Sequence, residues 1–223
     1  MVVDFRKLWQ REPLMKRVIA RFGDIILEGE SIFIEAWDFF NEHETIDRIP
    51  QSIYDKDIAI NNHEREIRRL LVEHLSLHPR YDTSGALAMM SLVKDAERIG
   101  DYAKNIAEVG VLYKGVIKEM RYFTRLSDIQ QRISAHFPVL KKAFIDSDEK
   151  LAKRILQNYI PIKKECDKIL YDIFEDELSP YEAVATAMIS RYLKRINSHV
   201  CNIASGIIYP LDQIDFVQGD ILE

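Results

Sequence analysis

The sequence predicts an all-α protein made of two related antiparallel three-helix bundles, and three observations lead to this prediction. Glycine (8) and proline (7) are scarce in a chain of 223 residues that is 47% hydrophobic and 30% charged, a balance that favours a helical globular protein. Apolar residues recur at helical intervals along nearly the whole chain, and no alternating run of Val, Ile and Thr between tight turns indicates a strand. An internal repeat then pairs the third predicted helix with the sixth.

Three helices are predicted in the first half, each between recognisable signals. The first runs from Pro13 to about Glu44, with proline at the opening position that a helix tolerates. The second begins at Ile49-Pro50-Gln51-Ser52 and ends near Leu77, because His78-Pro79 does not continue a helix. The third begins at the cap Asp82-Thr83-Ser84 and reaches about Lys114.

Three more helices are predicted in the second half. The fourth runs from about Thr124 to Ile145, and the cap Asp146-Ser147-Asp148-Glu149 precedes the fifth. The sixth opens at Ser179-Pro180 and stops at Pro210. Pro138 and Pro161 fall inside the fourth and fifth helices, where the missing N–H and the ring predict kinks or breaks.

An internal repeat relates the two halves of the chain to each other. Residues 95–109 (DAERIGDYAKNIAEV) and residues 192–206 (YLKRINSHVCNIASG) share Arg, Ile, Asn, Ile and Ala at equivalent positions. Each segment lies on the third helix of a three-helix run. The prediction is therefore a first bundle over residues 1–117 and a second over 118–223, with the third helix of each near a pseudo-symmetry axis.

Composition excludes several classes of protein. A formal net charge of −5 argues against a general nucleic-acid binder. Two cysteines are too few for a disulfide scaffold or a thiolate zinc site, and they fit a reducing compartment. The N-terminal residues show no export signal and no stretch is apolar enough for a membrane helix. We therefore expect a soluble, cytoplasmic protein.

Two rows of carboxylates flank the buried edges of the second and third helices. At about 100° per residue, Asp101 and Glu108 lie about 40° and about 20° from Glu97, beside the apolar seam of the third helix. On the second helix, Glu64 lies about 20° from Asp57. Because carboxylate oxygens bridge hard and borderline cations without histidine, the two rows are a candidate metal site.

The same helix faces also carry basic residues, which leaves a second interpretation open. Lys94 and Lys104 lie about 60° and about 20° from Glu97, and Arg68 lies about 20° from Asp57. An acidic row interleaved with lysine and arginine is typical of a solvated face with weak ion pairs. Periodicity alone favours that solvated face.

The third helix carries a motif that is more specific than its periodicity. It reads Asp95-Ala96-Glu97-Arg98-Ile99-Gly100-Asp101-Tyr102-Ala103 and continues as Asn105-Ile106-Ala107-Glu108. This resembles the signature of the PhoU family of phosphate-uptake regulators, a Glu-x-x-x-Asp followed by Asn-Ile-Ala-Glu. The stretch Asp57-x-x-Ile60-x-x-His63-Glu64-x-x-Ile67 is similar to the family's second-helix pattern, with His63 where an aliphatic residue is usual. Length, helix number and duplication agree, so the resemblance covers essentially the whole chain.

The resemblance implies a fold and a metal site. Family members fold as paired three-helix bundles, and their Glu/Asp-x-x-x-Asp motifs hold clusters of iron or related metals on the bundle surface. By resemblance, Glu97 and Asp101 are the best ligand candidates, with Asp57 and Glu64 facing them. Iron is the first candidate metal, with zinc or manganese as alternatives. Asp95 belongs to the motif but lies about 160° from Glu97, so a structural role suits it as well.

The resemblance also implies a function. Members of the family act with the phosphate ABC transporter and a membrane sensor kinase, and they repress phosphate-starvation genes when phosphate is plentiful. They are adaptors, not enzymes, and they approach the membrane only through these partners. Paired bundles leave broad side faces, so a homodimer is also expected.

The second half departs from the family pattern. Lys194 and Ser198 stand where the repeat should carry Glu and Asp, and Ser205 replaces the position of Glu108. Lys194 would place a cation where a metal should sit. We therefore expect one competent metal cluster in the first bundle and none in the second, and a divergent member of this kind leaves another transporter or regulator open as the partner.

Helical bundles with rows of carboxylates also occur in two other classes of protein. A ferritin-like carboxylate-bridged oxidase needs Glu-x-x-His on two helices, and no histidine here has Glu three residues before it. A metal-free helical interaction module, with the acidic row docked on a partner's basic loop, stays open and is separated from the metal-binding regulator by metal dependence. His74 and His78 have the i, i+4 spacing of a zinc pair, but their position at a helix end predicts solvated side chains.

Overall fold

The computed structural model describes residues 13–42, 48–78 and 83–214, and these segments contain no β-strand. The described helices are α1 (Pro13–Glu42), α2 (Gln51–Leu77), α3 (Thr83–Leu112), α4 (Phe123–Ser134), α5 (His136–Asp146), α6 (Glu149–Gln157), α7 (Tyr159–Glu175) and α8 (Pro180–Ile208), with short 3₁₀ turns at Ile117–Glu119 and Leu211–Gln213. The expected first-helix end at Glu44 and the capping residue Asp82 lie outside the described residues.

Proline divides the fourth and fifth predicted helices in two, as the sequence predicts. Pro138 and Pro161 are each the third residue of a new helix, α5 and α7. A proline ring clashes with the carbonyl four residues earlier, and those residues are Ser134 and Gln157, the last residues of α4 and α6. The proline nitrogen then lies in a first turn, where no intrahelical acceptor exists.

Two of the predicted caps are present. The Asp148 side chain accepts hydrogen bonds from two backbone amides in the first turn of α6, at 2.9 and 3.1 Å. The Ser179 hydroxyl oxygen accepts from the amide of Glu182 at 3.2 Å, and Pro180 occupies the first position of α8. Local capping chemistry therefore sets where these helices begin.

The helices form the two predicted three-helix bundles. Helices α1 to α3 make the first, and α4/α5, α6/α7 and α8 make the second. Helices α3 and α8 pack against each other as an antiparallel pair at the boundary between the bundles, and Gly206 of α8 lies against Leu92 of α3. Beside them, α1 packs on α5 through the Phe22–Phe144 ring pair, 4.5 Å apart. The division at residue 117 stays a prediction.

The buried apolar residues of both bundles form one continuous core. It includes Trp37, Phe39 and Phe40 of α1, each at most 8% exposed. No helix in the described part of the chain is long and apolar enough to cross a bilayer.

Candidate functional site

Helices α2 and α3 bring the four predicted ligand residues to one seam between them. Asp57 and Glu64 lie two turns apart on α2, and Glu97 and Asp101 lie one turn apart on α3, so each pair shares a helix face. Glu64 and Glu97 are each only 8% exposed. We call these four residues the carboxylate seam.

Lys94 lies between the two buried carboxylates of the seam. Its Nζ is 2.7 Å from Oε2 of Glu97 on the same helix and 3.9 Å from Oε1 of Glu64 on the neighbouring helix. Arg68 also approaches Glu64, at 2.9 Å. This end of the carboxylate seam is therefore neutralised by two cations of the chain itself.

Lys104 has the corresponding position at the other end of the seam. Its Nζ donates to Oδ2 of Asp57 at 2.8 Å and lies 3.8 Å from Oδ1 of Asp101. Burial acts to lower the pKa of Lys104, but the hydrogen bond and charge of Asp57 outweigh it, with Asp101 and Glu108 adding to them. The net effect is a raised pKa, so Lys104 is a charged bridge between α2 and α3.

The donor atoms of the carboxylate seam suit iron, zinc or manganese, but their arrangement suits lysine. Within residues 13–42, 48–78 and 83–214, no three His, Cys, Asp or Glu side chains are grouped so that they hold a metal ion. The ammonium groups of Lys94 and Lys104 lie where a bridging cation needs to be. Metal binding at the seam therefore requires both lysines to move away.

The equivalent surface of the second bundle is also held by cations. Lys194, at the repeat position of the first ligand candidate, pairs with Asp167 of α7. Arg125 of α4 contacts Glu165 at 2.7 Å and Asp172 at 2.6 Å. The absence of a metal cluster from this bundle stays a prediction, and the Lys194 contact is the observation that favours it.

Asp95 connects the two bundles, a structural role that its position on the helix predicts. It is 7% exposed, and its Oδ1 accepts from Nδ1 of His199 at 2.7 Å and from Nδ2 of Asn202 at 2.9 Å. Because a carboxylate only accepts, Nδ1 of His199 must carry the proton. The Tyr102 ring stacks on the His199 ring, with the centroids 5.6 Å apart. Sequence reasoning missed these partners, because no local pattern relates residues more than a hundred positions apart.

His74 is buried, so the expectation of a solvated side chain is wrong. It is 1% exposed, and neither ring nitrogen has a hydrogen-bond partner among the described residues. The available signal was the seven-residue spacing of Ile53, Ile60, Ile67 and position 74, which places all four on the core face of α2.

Comparison with known proteins gives matches along both bundles. The PhoU domain model matches residues 21–110 and 126–207. A curated relative, the phosphate-specific transport system accessory protein PhoU homolog 1 of Thermotoga maritima, is 24% identical over 222 residues. That alignment covers 93% of this chain and 90% of the relative.

Two solved structures share the fold. The crystal structure of PhoU from Pseudomonas aeruginosa matches with a TM-score of 0.77 at 22% identity, over 90% of this chain and 97% of that one. The phosphate transport system regulatory protein PhoU from Streptococcus pneumoniae matches with a TM-score of 0.73 at 21% identity, over 94% and 97%. At 22% and 21% identity, these two matches show only that the chain shares the fold.

Proposed function

Because the chain belongs to the PhoU family, we propose that it regulates a phosphate transport system as an accessory protein, not as an enzyme. The observation that carries this proposal is the match of the PhoU domain to both bundles. The two cysteines do not offer a nucleophile, since both are buried and burial raises the pKa of Cys166 to about 12.

The proposed action is through protein contacts in the cytoplasm. The proposed partners are components of a phosphate ABC transporter and a sensor kinase, and the chain approaches the membrane through these partners. The net charge of −5 disfavours nucleic acid as a partner. A homodimer formed through the broad side faces of the bundles is part of the proposal.

Deletion of the gene in its own organism tests this function. We expect a phosphate-starvation reporter to become active in phosphate-rich medium after deletion, and to be repressed again when the wild-type chain is restored. An unchanged reporter in the deletion strain would contradict the proposal. Light scattering of the purified chain tests the homodimer, which a monomeric mass contradicts.

We further propose that the carboxylate seam binds a metal ion, with iron first and zinc or manganese as alternatives. The four side chains supply only oxygen donors, and Lys94 and Lys104 have long stems that can move without disturbing either helix. A bound metal would supply charge neutralisation and a bridge between α2 and α3, stabilising the fold by mass action.

A metal-free interaction module is the second candidate, and the two lysine contacts favour it. Each ammonium group already neutralises one carboxylate of α2 and one of α3. In that case the surface beside the seam serves as a docking face for a partner.

Elemental mass spectrometry separates the two candidates. The wild-type chain, purified without chelators or a histidine tag, is compared with Glu97→Ala/Asp101→Ala and with Lys94→Gln/Lys104→Gln. Metal that disappears in the first variant and increases in the second supports the seam as the site. A folded wild type that stays metal-free after reconstitution contradicts metal binding and leaves the metal-free module.

A further inference from the structure

A second surface, where the C-terminal end of α3 meets the start of α8, has the properties of a docking site. An apolar cavity of about 320 Å³ opens between the C-terminal end of α3 and the first three turns of α8. Its lining includes Val109, Leu112 and Tyr113 from the first bundle and Tyr181, Val184 and Met188 from the second. We call this cavity the α3–α8 groove. Such a volume accommodates one or two aliphatic side chains.

The rim of the α3–α8 groove exposes large apolar side chains. Leu112 is 68% exposed, Tyr181 is 76% exposed and Val184 is 58% exposed. These three residues line one cavity, so they form a contiguous patch rather than scattered surface residues. Apolar and aromatic residues gathered around a concavity are typical of sites where proteins bind each other.

The segments beside the groove carry more acidic than basic residues. Burial first, and then the charges of Glu182 and Glu119, raise the pKa of Tyr113 in the lining. The Glu182 carboxylate accepts a hydrogen bond from the backbone amide of Arg121 at 2.8 Å, while the Arg121 guanidinium binds Asp176 at 2.7 Å. The guanidinium of Arg121 is therefore paired with Asp176 and not with Glu182. Residues 169–190 have five acidic residues and no Lys or Arg, while residues 112–121 have Lys114, Lys118 and Arg121 against one acidic residue, Glu119.

We propose that the α3–α8 groove binds a basic amphipathic segment of a partner protein, with an aliphatic side chain in the cavity and Lys or Arg beside Glu182. A second copy of this chain is disfavoured, because the same groove on both copies would bring like charges together. The proposal rests on the proposed function, in which the chain acts through protein contacts. An amphipathic helix laid in an apolar groove is a common form of such recognition.

A synthetic peptide supplies the direct test. The probe is a fluorescent Lys/Leu amphipathic helix of about 18 residues, roughly five turns. Two matched peptides serve as comparisons, one with the same composition in scrambled order and one with Glu in place of Lys. Fluorescence anisotropy against the full chain should show the ordered basic peptide binding most tightly. Equal binding of the scrambled peptide, or of the acidic peptide, would overturn the proposal.

Three variants locate the peptide on the protein. Val184→Lys places a cation in the α3–α8 groove and should raise the Kd about tenfold, as expected for loss of a central contact. Glu182→Gln keeps the hydrogen-bond acceptor, removes the charge and should raise the Kd about threefold. Val72→Lys is the matched control, because Val72 on α2 is 57% exposed and lies outside the groove. Equal Kd values for Val184→Lys and Val72→Lys would overturn the proposal.

The same variants distinguish a failure of the groove proposal from a failure of the proposed function. In the deletion strain, wild type and Val72→Lys should restore repression of the phosphate-starvation reporter, and Val184→Lys should restore less of it. Failure of the wild type to restore repression counts against the proposed function. Full repression by Val184→Lys, with wild type active, overturns the groove as the docking site and leaves the function standing.

Discussion

Replacing Asp95 with alanine tests how strongly one buried carboxylate holds the two bundles together. The substitution removes both acceptor contacts across the α3–α8 boundary, to His199 at 2.7 Å and to Asn202 at 2.9 Å. It leaves the two donors without that partner, in a place where Asp95 itself is 7% exposed. Hydrogen bonds to a charged group contribute about 1.5 to 3 kcal/mol each, and stranded buried donors add a cost. Since such contributions are not fully additive, we expect a loss of about 3 kcal/mol in the free energy of unfolding.

Chemical denaturation followed by circular dichroism measures this loss. For a chain of this size, about 3 kcal/mol corresponds to a melting temperature lower by roughly 6 to 12 °C. Asp95→Asn is the conservative comparison, because its amide oxygen still accepts both hydrogen bonds, and it should lose about 1 kcal/mol. Asp101→Ala, measured with chelator present, removes an ion pair to Arg98 at 3.1 Å and a longer one to Lys104 at 3.8 Å, on a more exposed part of the same helix. It should cost less than about 1 kcal/mol.

A double-mutant cycle decides whether the loss comes from this contact. Asp95→Ala and His199→Ala, alone and combined, should show a coupling energy of about 1 to 2 kcal/mol. An Asp95→Ala protein within about 1 kcal/mol of wild type would refute the reasoning. A large loss without coupling to His199 would show that the carboxylate acts through something other than the contact between the bundles.

Three further predictions concern the buried interior. Burial, and then the charge of Arg132, lowers the pKa of His136 to about 4. The unfolded chain binds this proton from about pH 6.5 downward, whereas the folded chain does not until about pH 4. The free energy of unfolding is therefore highest above about pH 6.5, and about 2 kcal/mol of it is lost by about pH 5. Urea titrations of wild type and His136→Leu over this range should show that part of the loss only in the wild type, and parallel curves would contradict the assignment. Both cysteines are buried with raised thiol pKa values, so a thiol reagent at about pH 8 should react with them only after unfolding; rapid labelling of the folded chain would be the contrary result. Gly206→Ala places a Cβ 2.8 Å from the Leu92 methyl groups and should cost about 1 kcal/mol net of the helix-propensity gain, whereas Gly23→Ala, with its nearest atoms at 3.9 Å, should gain up to about 1 kcal/mol.

The helix boundaries could be predicted because their causes are local. Pro138 and Pro161 break the helices that contain them, since each ring excludes the carbonyl four residues earlier. Asp148 and Ser179 begin helices because their side chains satisfy amides in the turn that follows. The sequence also placed the four residues of the carboxylate seam on the correct faces of α2 and α3, because helical periodicity alone orders positions around a helix.

Local rules do not extend to the contacts between those faces. Periodicity places Lys94 and Lys104 on the seam face. That placement is equally compatible with side chains that extend into solvent. Their position between the carboxylates of α2 and α3 depends on how closely the two helices pack. His74 shows the same limit, because the end of a helix is solvated or buried according to what packs against it.

The sequence by itself determined the helical class, the breaks at proline, the duplication and the PhoU-like motif, since each follows from residues within a few turns of one another or from direct repetition. Only the tertiary structure decided that Lys94 and Lys104 bridge the carboxylate seam and that Asp95 binds His199 and Asn202. It also decided that the ends of α3 and α8 enclose an apolar groove. The physical reason is that these contacts join side chains up to 107 positions apart, and packing of the whole core sets the distances between them.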